Sequence, residues 1–321
     1  MSGEFPDSVA TLFDRRFFLA YWCPTILSFL VGLLIYSWPK DWKPLDLYLS
    51  VSQNGSSGSQ PSFHFEVILA TLLLTLIIAH LLQAFSHPLV QFWEGYWPKL
   101  LWNRYKSARG VNDEWVKLKK ERTSARNNPT SYALVHEQLF YGYPSQKDKL
   151  LPTKLGNILR AAEDYAKSNY GMDVVFWWPR LWLILPETVQ QEIEDSQTPM
   201  ISLINLATQL VVIFFAGFFY LCWQYKGSWG LFAFLAAFIT LIVGITLTVF
   251  VYRGAISHAK VYGTLIRSVV DTYRFDLLRA LHQPMPSNLS EEKKLWNNLI
   301  RWVYLNEQDN APQYVHDKIK S

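Results

Sequence analysis

Four stretches of this chain, about Phe18 to Trp38, Phe65 to Phe85, Ile201 to Trp223 and Trp229 to Tyr252, contain no Asp, Glu, Lys or Arg apart from Glu66 at the start of the second. Apolar runs of roughly 20 residues cross the hydrocarbon core of a bilayer as helices, and inside that core every backbone polar group must be satisfied within the protein. The pattern therefore predicts an all-α polytopic membrane protein with four transmembrane helices in two hairpins and a helical cytosolic domain. Trp22, Trp38, Trp42, Trp93, Trp97, Trp223 and Trp229 stand at or near the ends of these runs, where an amphipathic indole prefers the headgroup layer. Composition points the same way, because half of the 321 residues are hydrophobic and only 17% are charged, below the share of an average soluble protein.

Gln224, Tyr225, Lys226, Gly227 and Ser228 are all that separate the third and fourth runs, which predicts a tight antiparallel hairpin. The first pair is joined by a longer loop with a flexible NGSSGSQ tract, where the Asn54-Gly55-Ser56 sequon reads as coincidence. Arg15, Arg16, Lys99, Arg104, Arg253, Lys260 and Arg267 fall on one side of the four runs, against Lys40, Lys43 and Lys226 on the other. The excess of positive charge predicts that both termini and the middle region are cytoplasmic. The opening MSGEFPDSVATLFDRRF carries acids and the first run has no A-x-A-like cleavage site, so that run is expected to stay as the first helix. Four regions follow: 1–86 with the first hairpin, 87–200 as a cytosolic helical domain, 201–252 as the second hairpin, and 253–321 as cytosolic C-terminal helices.

In the middle region, Pro152-Thr153 opens KLGNILRAAEDYAKSNYG, where Leu155, Ile158, Leu159 and Ala162 share a face and Gly171 is a plausible stop. Asn112 to Asn128 is mostly charged and polar and reads as a solvated peripheral helix or loop. After the fourth run, Leu265, Val269, Leu277 and Leu281 keep helical spacing until Pro284 and Pro286. One long helix leaving the bilayer is expected, bent or broken at Gly254 and Gly263, with Arg267 and Asp271 spaced for an i,i+4 pair. Ser290 is the expected N-cap of a last helix with Glu291 and Glu292 in its first turn. The stretch YGMDVVFWWPRLWLILPE carries one charge, Arg180, between Val174 and Pro186. It is too short to span, and Pro179 and Arg180 disfavour a spanning helix. It is expected to form a collar between bilayer and cytosolic domain, with Trp177, Trp178 and Trp182 at the interface and Arg180 reaching a lipid phosphate or Glu94 in the Trp-rich EGYW.

The blocks LFDRRF, PLVQFWEGYWP, LPTKLGNILRAAEDYAKSNYGMDVVFWWPRLWLILP and DTYRFDLLRALHQPMP together resemble a family of uncharacterised bacterial four-span membrane proteins, and the third block is the most specific. The resemblance covers most of the chain, implies the bacterial inner membrane, and brings no activity with it. At the level of topology the two hairpins are also loosely similar to bestrophin-type channels, an analogy of fold that transfers no residues.

No G-x-S-x-G, P-loop, G-x-G-x-x-G or H-E-x-x-H pattern occurs, so no catalytic residue, cofactor or enzymatic activity is expected. His80, His87 and Glu94 are evenly spaced, but Pro88 interrupts their face and three ligands from one helix make poor geometry, so no metal is expected. Cys23 and Cys222 lie in apolar runs, where thiols act as small hydrophobes. A net charge of +4 spread along the chain lacks the footprint of a nucleic-acid binder.

Within the third run Ser202, Asn205, Gln209, Ala216 and Tyr220 form a polar and small-residue stripe, and Thr240, Gly244 and Thr248 form another in the fourth. Asn205, Gln209, Thr240, Gly244 and Thr248 are candidates either for lining a pore or for packing helices. No run carries a buried charge of the kind used in ion-coupled transport. The leading expectation is a homo-oligomeric channel or pore gated by its cytosolic layer. The alternative is a non-conducting scaffold or sensor that binds a cytosolic protein, and the bilayer is a partner in both.

Overall fold

A computed structural model describes residues 14–37, 65–97, 110–224, 230–307 and 314–315. Among them every regular element is helical. Trp38, Trp42, Trp229, Lys40, Lys43, Lys99, Lys226, Arg104, the NGSSGSQ tract with its sequon and the connection 225–229 lie outside the described residues, as does the Glu66 side chain.

The chain divides into two units, the first made of Met1–Val90 with Thr198–Ala255 and the second of Gln91–Gln197 with Ile256–Ser321. Helix α1, Cys23–Ser37, is led in by a short segment, Arg15–Phe17, and a π-helical turn, Phe18–Trp22. Helices α2, Phe65–Ala84, and α3, Ser86–Glu94, meet at a 62° bend. Helices α4, Gly110–Ser124, and α5, Pro129–Gly142, form a hairpin, and α6, Lys154–Tyr170, and α7, Val174–Ile184, follow. Two long helices, α8 at Glu187–Gln224 and α9 at Gly230–Ala280, precede α10, Leu289–Leu305.

Three helices, Arg15–Tyr36, Glu187–Trp223 and Phe234–Ala280, are long and apolar enough to cross a membrane, and a fourth joins them if the bent pair Ile68–Ala84 and Ser86–Glu94 acts as one span. Large apolar side chains on these helices stay uncovered by protein: Val212, Phe215, Phe219 and Phe250 are each more than half exposed. Surfaces of that kind suggest membrane integration, since lipid is their natural solvent.

In the first unit, Phe17, Ala20 and Tyr21 pack on Ala79 of α2. Trp22 Nε1 donates to Thr75 Oγ1 at 3.2 Å, and the Phe17 ring lies 4.5 Å from that of His80. The second unit has its main core where α6, α7, α9 and α10 converge, with Met172, Trp177, Leu181, Val270, Leu277, Leu278 and Trp296 almost fully buried. A smaller core of Trp115, Leu118, Leu139 and Leu150 joins α4 to α5.

Helix ends follow local chemistry. Thr153 Oγ1 accepts from Gly156 N to start α6, and Gly171 ends it at φ 81°. That backbone conformation suits glycine, and a Cβ there would also sit 3.0 Å from the Lys293 backbone. Leu155, Ile158, Leu159 and Ala162 are all buried, as the spacing predicts.

Several expectations change. Helix α9 is unbroken for 51 residues, through both Gly254 and Gly263. A Cβ at those positions would lie 3.1 Å from Leu203 Cδ1 and 3.2 Å from Ala162 Cβ, so the glycines admit close neighbours and the helix breaks at neither. Helix α8 begins at Glu187 and runs through Pro199, so the charged residues before the third apolar run belong to the same helix. Helix α7 likewise continues through Pro179, held by the burial of Trp177 and Leu181. The N-cap of α10 is Asn288, whose side chain accepts from Glu291 N at 3.0 Å, while Glu291 accepts from Ser287 N at 2.9 Å. The Arg267–Asp271 pair does not form, because Asp271 accepts from the hydroxyls of Tyr165 and Tyr170 at 3.0 and 2.8 Å.

Candidate functional site

A proline creates the best-defined polar contact between helices of the first unit. In an α-helix the Ala20 carbonyl would accept from the N–H four residues on, and that residue is Pro24, which has none. The backbone relaxes into the π-helical turn Phe18–Trp22. The Ala20 carbonyl accepts from Asn205 Nδ2 of α8, at 2.9 Å. Thr25 Oγ1 donates to the next carbonyl, Tyr21 O, at 2.7 Å. Neighbouring helices and hydroxyl groups are the usual means by which spanning helices tolerate proline. Asn205, 1% exposed, is committed to this cross-helix contact.

Close contacts set the register of the helices. A Cβ on Gly32 would lie 3.7 Å from Ile213, and one on Gly217 would lie 2.8 Å from Ile35. The rings of Tyr36 and Tyr220 are 5.3 Å apart. Helices α1 and α8 therefore run parallel. Gly244 receives the Phe214 side chain where any Cβ would overlap it, and Gly254 receives Leu203, so α8 and α9 run antiparallel.

This register brings three polar residues to one level. Ser28 stands one helical turn before Gly32, as Gln209 does before Ile213; Gln209 is also six residues past Leu203, as Thr248 is six residues before Gly254. Ser28 Oγ, Gln209 Nε2 and Thr248 Oγ1 are each buried with no hydrogen-bond partner. Other hydroxyls on these helices behave differently: Thr25, Thr208, Thr240 and Thr246 each donate to the carbonyl one turn back. Leaving a buried polar group unpaired costs roughly 1–3 kcal/mol, so a level holding three such groups favours water or a polar solute.

The sequence-predicted residues thus divide. Asn205 and Gly244 are occupied in helix packing, Thr240 satisfies its own hydroxyl, and Gln209 and Thr248 join Ser28. Ser28 escaped sequence reasoning, although Ser28 and Gly32 one turn apart make a small-xxx-small pattern of the kind found at helix interfaces.

The collar residues lie in the second unit. Trp177 is 1% exposed and its ring sits 5.4 Å from that of Trp296, which places it in the core. Trp178 and Trp182 are half-buried against that core. Arg180 Nη1 donates to Phe176 O at 3.3 Å and its guanidinium stacks over Phe176 and Trp177. Arg180 and Glu94 form no ion pair. The Glu94 carboxyl is raised to about 7, chiefly by burial and further by Glu163, with Arg160 opposing. Among the described residues no three His, Cys, Asp or Glu side chains are placed to hold a metal. His80 Nδ1 is 3.0 Å from Leu76 O, a contact within its own helix.

Compared with protein-family models, curated proteins and solved structures, the chain matches none.

Proposed function

We propose that the chain is a bacterial integral membrane protein that works as a homo-oligomeric channel or pore, with four spans and an extramembrane unit that gates it. The observation that carries this reading is the level shared by Ser28, Gln209 and Thr248, three unpartnered polar groups within otherwise apolar helices. Polar side chains between apolar helices can support a selective path without any buried charge. On this reading the path runs between the first, third and fourth spans of each subunit, and both termini face the cytoplasm with the arginines at positions 15, 16 and 253.

The test is flux from proteoliposomes containing the full chain, measured for ions and small polar solutes. Wild type is expected to conduct, and Gln209→Leu and Thr248→Val are expected to cut flux while unfolding at the same or higher temperature. Absence of flux from wild type, or full flux in both variants, would overturn the reading. A non-conducting scaffold or sensor is the second reading, favoured by the commitment of Asn205, Gly217 and Gly244 to tight packing. No flux together with capture of a stoichiometric soluble partner would select it.

A further inference from the structure

The second unit holds a pocket that the channel reading does not use. It is a cavity of about 260 Å³ enclosed by α4, α5, α6 and α9, and its lining includes Lys119, Arg122, His136 and Arg267 but no Asp or Glu. Arg267 is the unusual member. It is only 5% exposed, yet its Nε and Nη1 atoms have no hydrogen-bond acceptor. Its one bond is from Nη2 to Phe140 O at 2.7 Å. The guanidinium lies 4.4 Å from the Phe140 ring centre and 5.6 Å from that of Tyr165, contacts that use none of its remaining donors.

Burying an arginine with unfilled donors is strongly unfavourable unless something supplies the acceptors. The pocket lining supplies more positive charge and no carboxylate. Lys119 lies over the Trp115 ring at 3.7 Å and donates to Ser145 O at 3.4 Å. Its ammonium is disfavoured by burial and by the neighbouring Arg122. The nearby carboxylates are already engaged: Asp164 pairs with Lys149 and accepts from Ser145 N and Ser168 Oγ, and Glu114 pairs with Lys154 at 3.6 Å. Asp271, one turn past Arg267, takes the two tyrosine hydroxyls.

We infer that this pocket binds a small oxyanion, a phosphate or phosphate monoester, with Arg267 as buried anchor and Lys119 and Arg122 closing over it. A planar guanidinium with unfilled N–H groups matches phosphate oxygens, and charge-assisted bonds of this kind are among the strong ones. The volume admits the anion with a small organic substituent, which Trp115 and Tyr165 are placed to contact. Arg267 lies on α9, the helix that also carries Gly244 and Thr248.

The experiment uses the full chain in nanodiscs of zwitterionic lipid, titrated with inorganic phosphate against chloride at matched ionic strength, and follows tryptophan fluorescence and thermal unfolding. A saturable fluorescence change and a rise in unfolding temperature are expected. Arg122→Gln and Lys119→Gln are each expected to weaken binding roughly 10- to 100-fold, the effect of losing one charge-assisted bond, and Arg267→Gln to abolish it. The first two are half-buried and keep the test valid if the third variant fails to fold. A response to phosphate and glycerol phosphate identifies a soluble ligand. A response confined to nanodiscs containing phosphatidic acid identifies a lipid headgroup, and either supports the site. No saturable response to any of these probes, or wild-type affinity in both half-buried variants, would overturn it.

Discussion

If Asn205 stands in for the N–H that Pro24 lacks, the two positions must be energetically coupled. Asn205→Leu keeps the branched heavy-atom skeleton of the side chain and removes the donor, leaving the Ala20 carbonyl without its 2.9 Å partner. A buried acceptor stripped of its partner costs roughly 1–3 kcal/mol, whereas hydrogen bonds between spanning helices average about 0.6 and reach about 1.7. The expected loss is therefore about 1–1.5 kcal/mol. Pro24→Ala restores a backbone N–H at the position from which an α-helix would bond Ala20. In that background Asn205→Leu should cost about 0.5 kcal/mol or less, a coupling of about 1 kcal/mol. Equilibrium unfolding of the four proteins in mixed micelles with increasing dodecyl sulfate, followed by circular dichroism, measures it. Equal losses with and without Pro24 would refute the reasoning. Altered flux with unchanged stability would instead put Asn205 in a conducting path.

Two further outcomes follow from packing and charge. Gly244→Ala should destabilise by about 1–3 kcal/mol, since its Cβ would overlap Phe214, whereas Gly32→Ala, with 3.7 Å to Ile213, should be near neutral in the same assay. Glu94 in the folded protein keeps its proton up to about pH 7, against 4.5 for the ordinary carboxyl, so between these values the folded state binds more protons than the unfolded. Stability should thus fall as pH rises from 4.5 to 7, by at most about 3 kcal/mol, and stay level above. Glu94→Gln should flatten that slope and be the more stable protein at pH 8, which a pH series of unfolding midpoints checks.

What could be read from the chain depended on how local the deciding interaction is. The apolar runs were legible because solvent preference is a property of composition, and α6 because Thr153 and Gly171 act within one turn of themselves. Glycines at 254 and 263 were misleading. A glycine in a helix either weakens it or admits a neighbour, and here the neighbours, Leu203 and Ala162, come from distant sequence. Arg267 and Asp271 have ion-pair spacing, yet tyrosines of α6 claim the aspartate and leave the arginine facing a pocket. Of the polar stripes, spacing located Gln209 and Thr248 without separating them from Asn205 and Gly244. Only the contacts of each side chain distinguish an unpartnered group from one already satisfied.

The bond between Asn205 and Ala20 also has a bearing on the order of biogenesis. Its donor is synthesised 185 residues after its acceptor. Helix α1 leaves the ribosome with that carbonyl lacking the Asn205 amide, because α8 does not yet exist. Until α8 arrives, that carbonyl goes without its side-chain donor, so α1 reaches its final packing only after Asn205 has been made. A chain truncated before Asn205 is thus expected to yield an α1 that packs less stably and is degraded faster than in the full chain, which a pulse-chase comparison of the two checks.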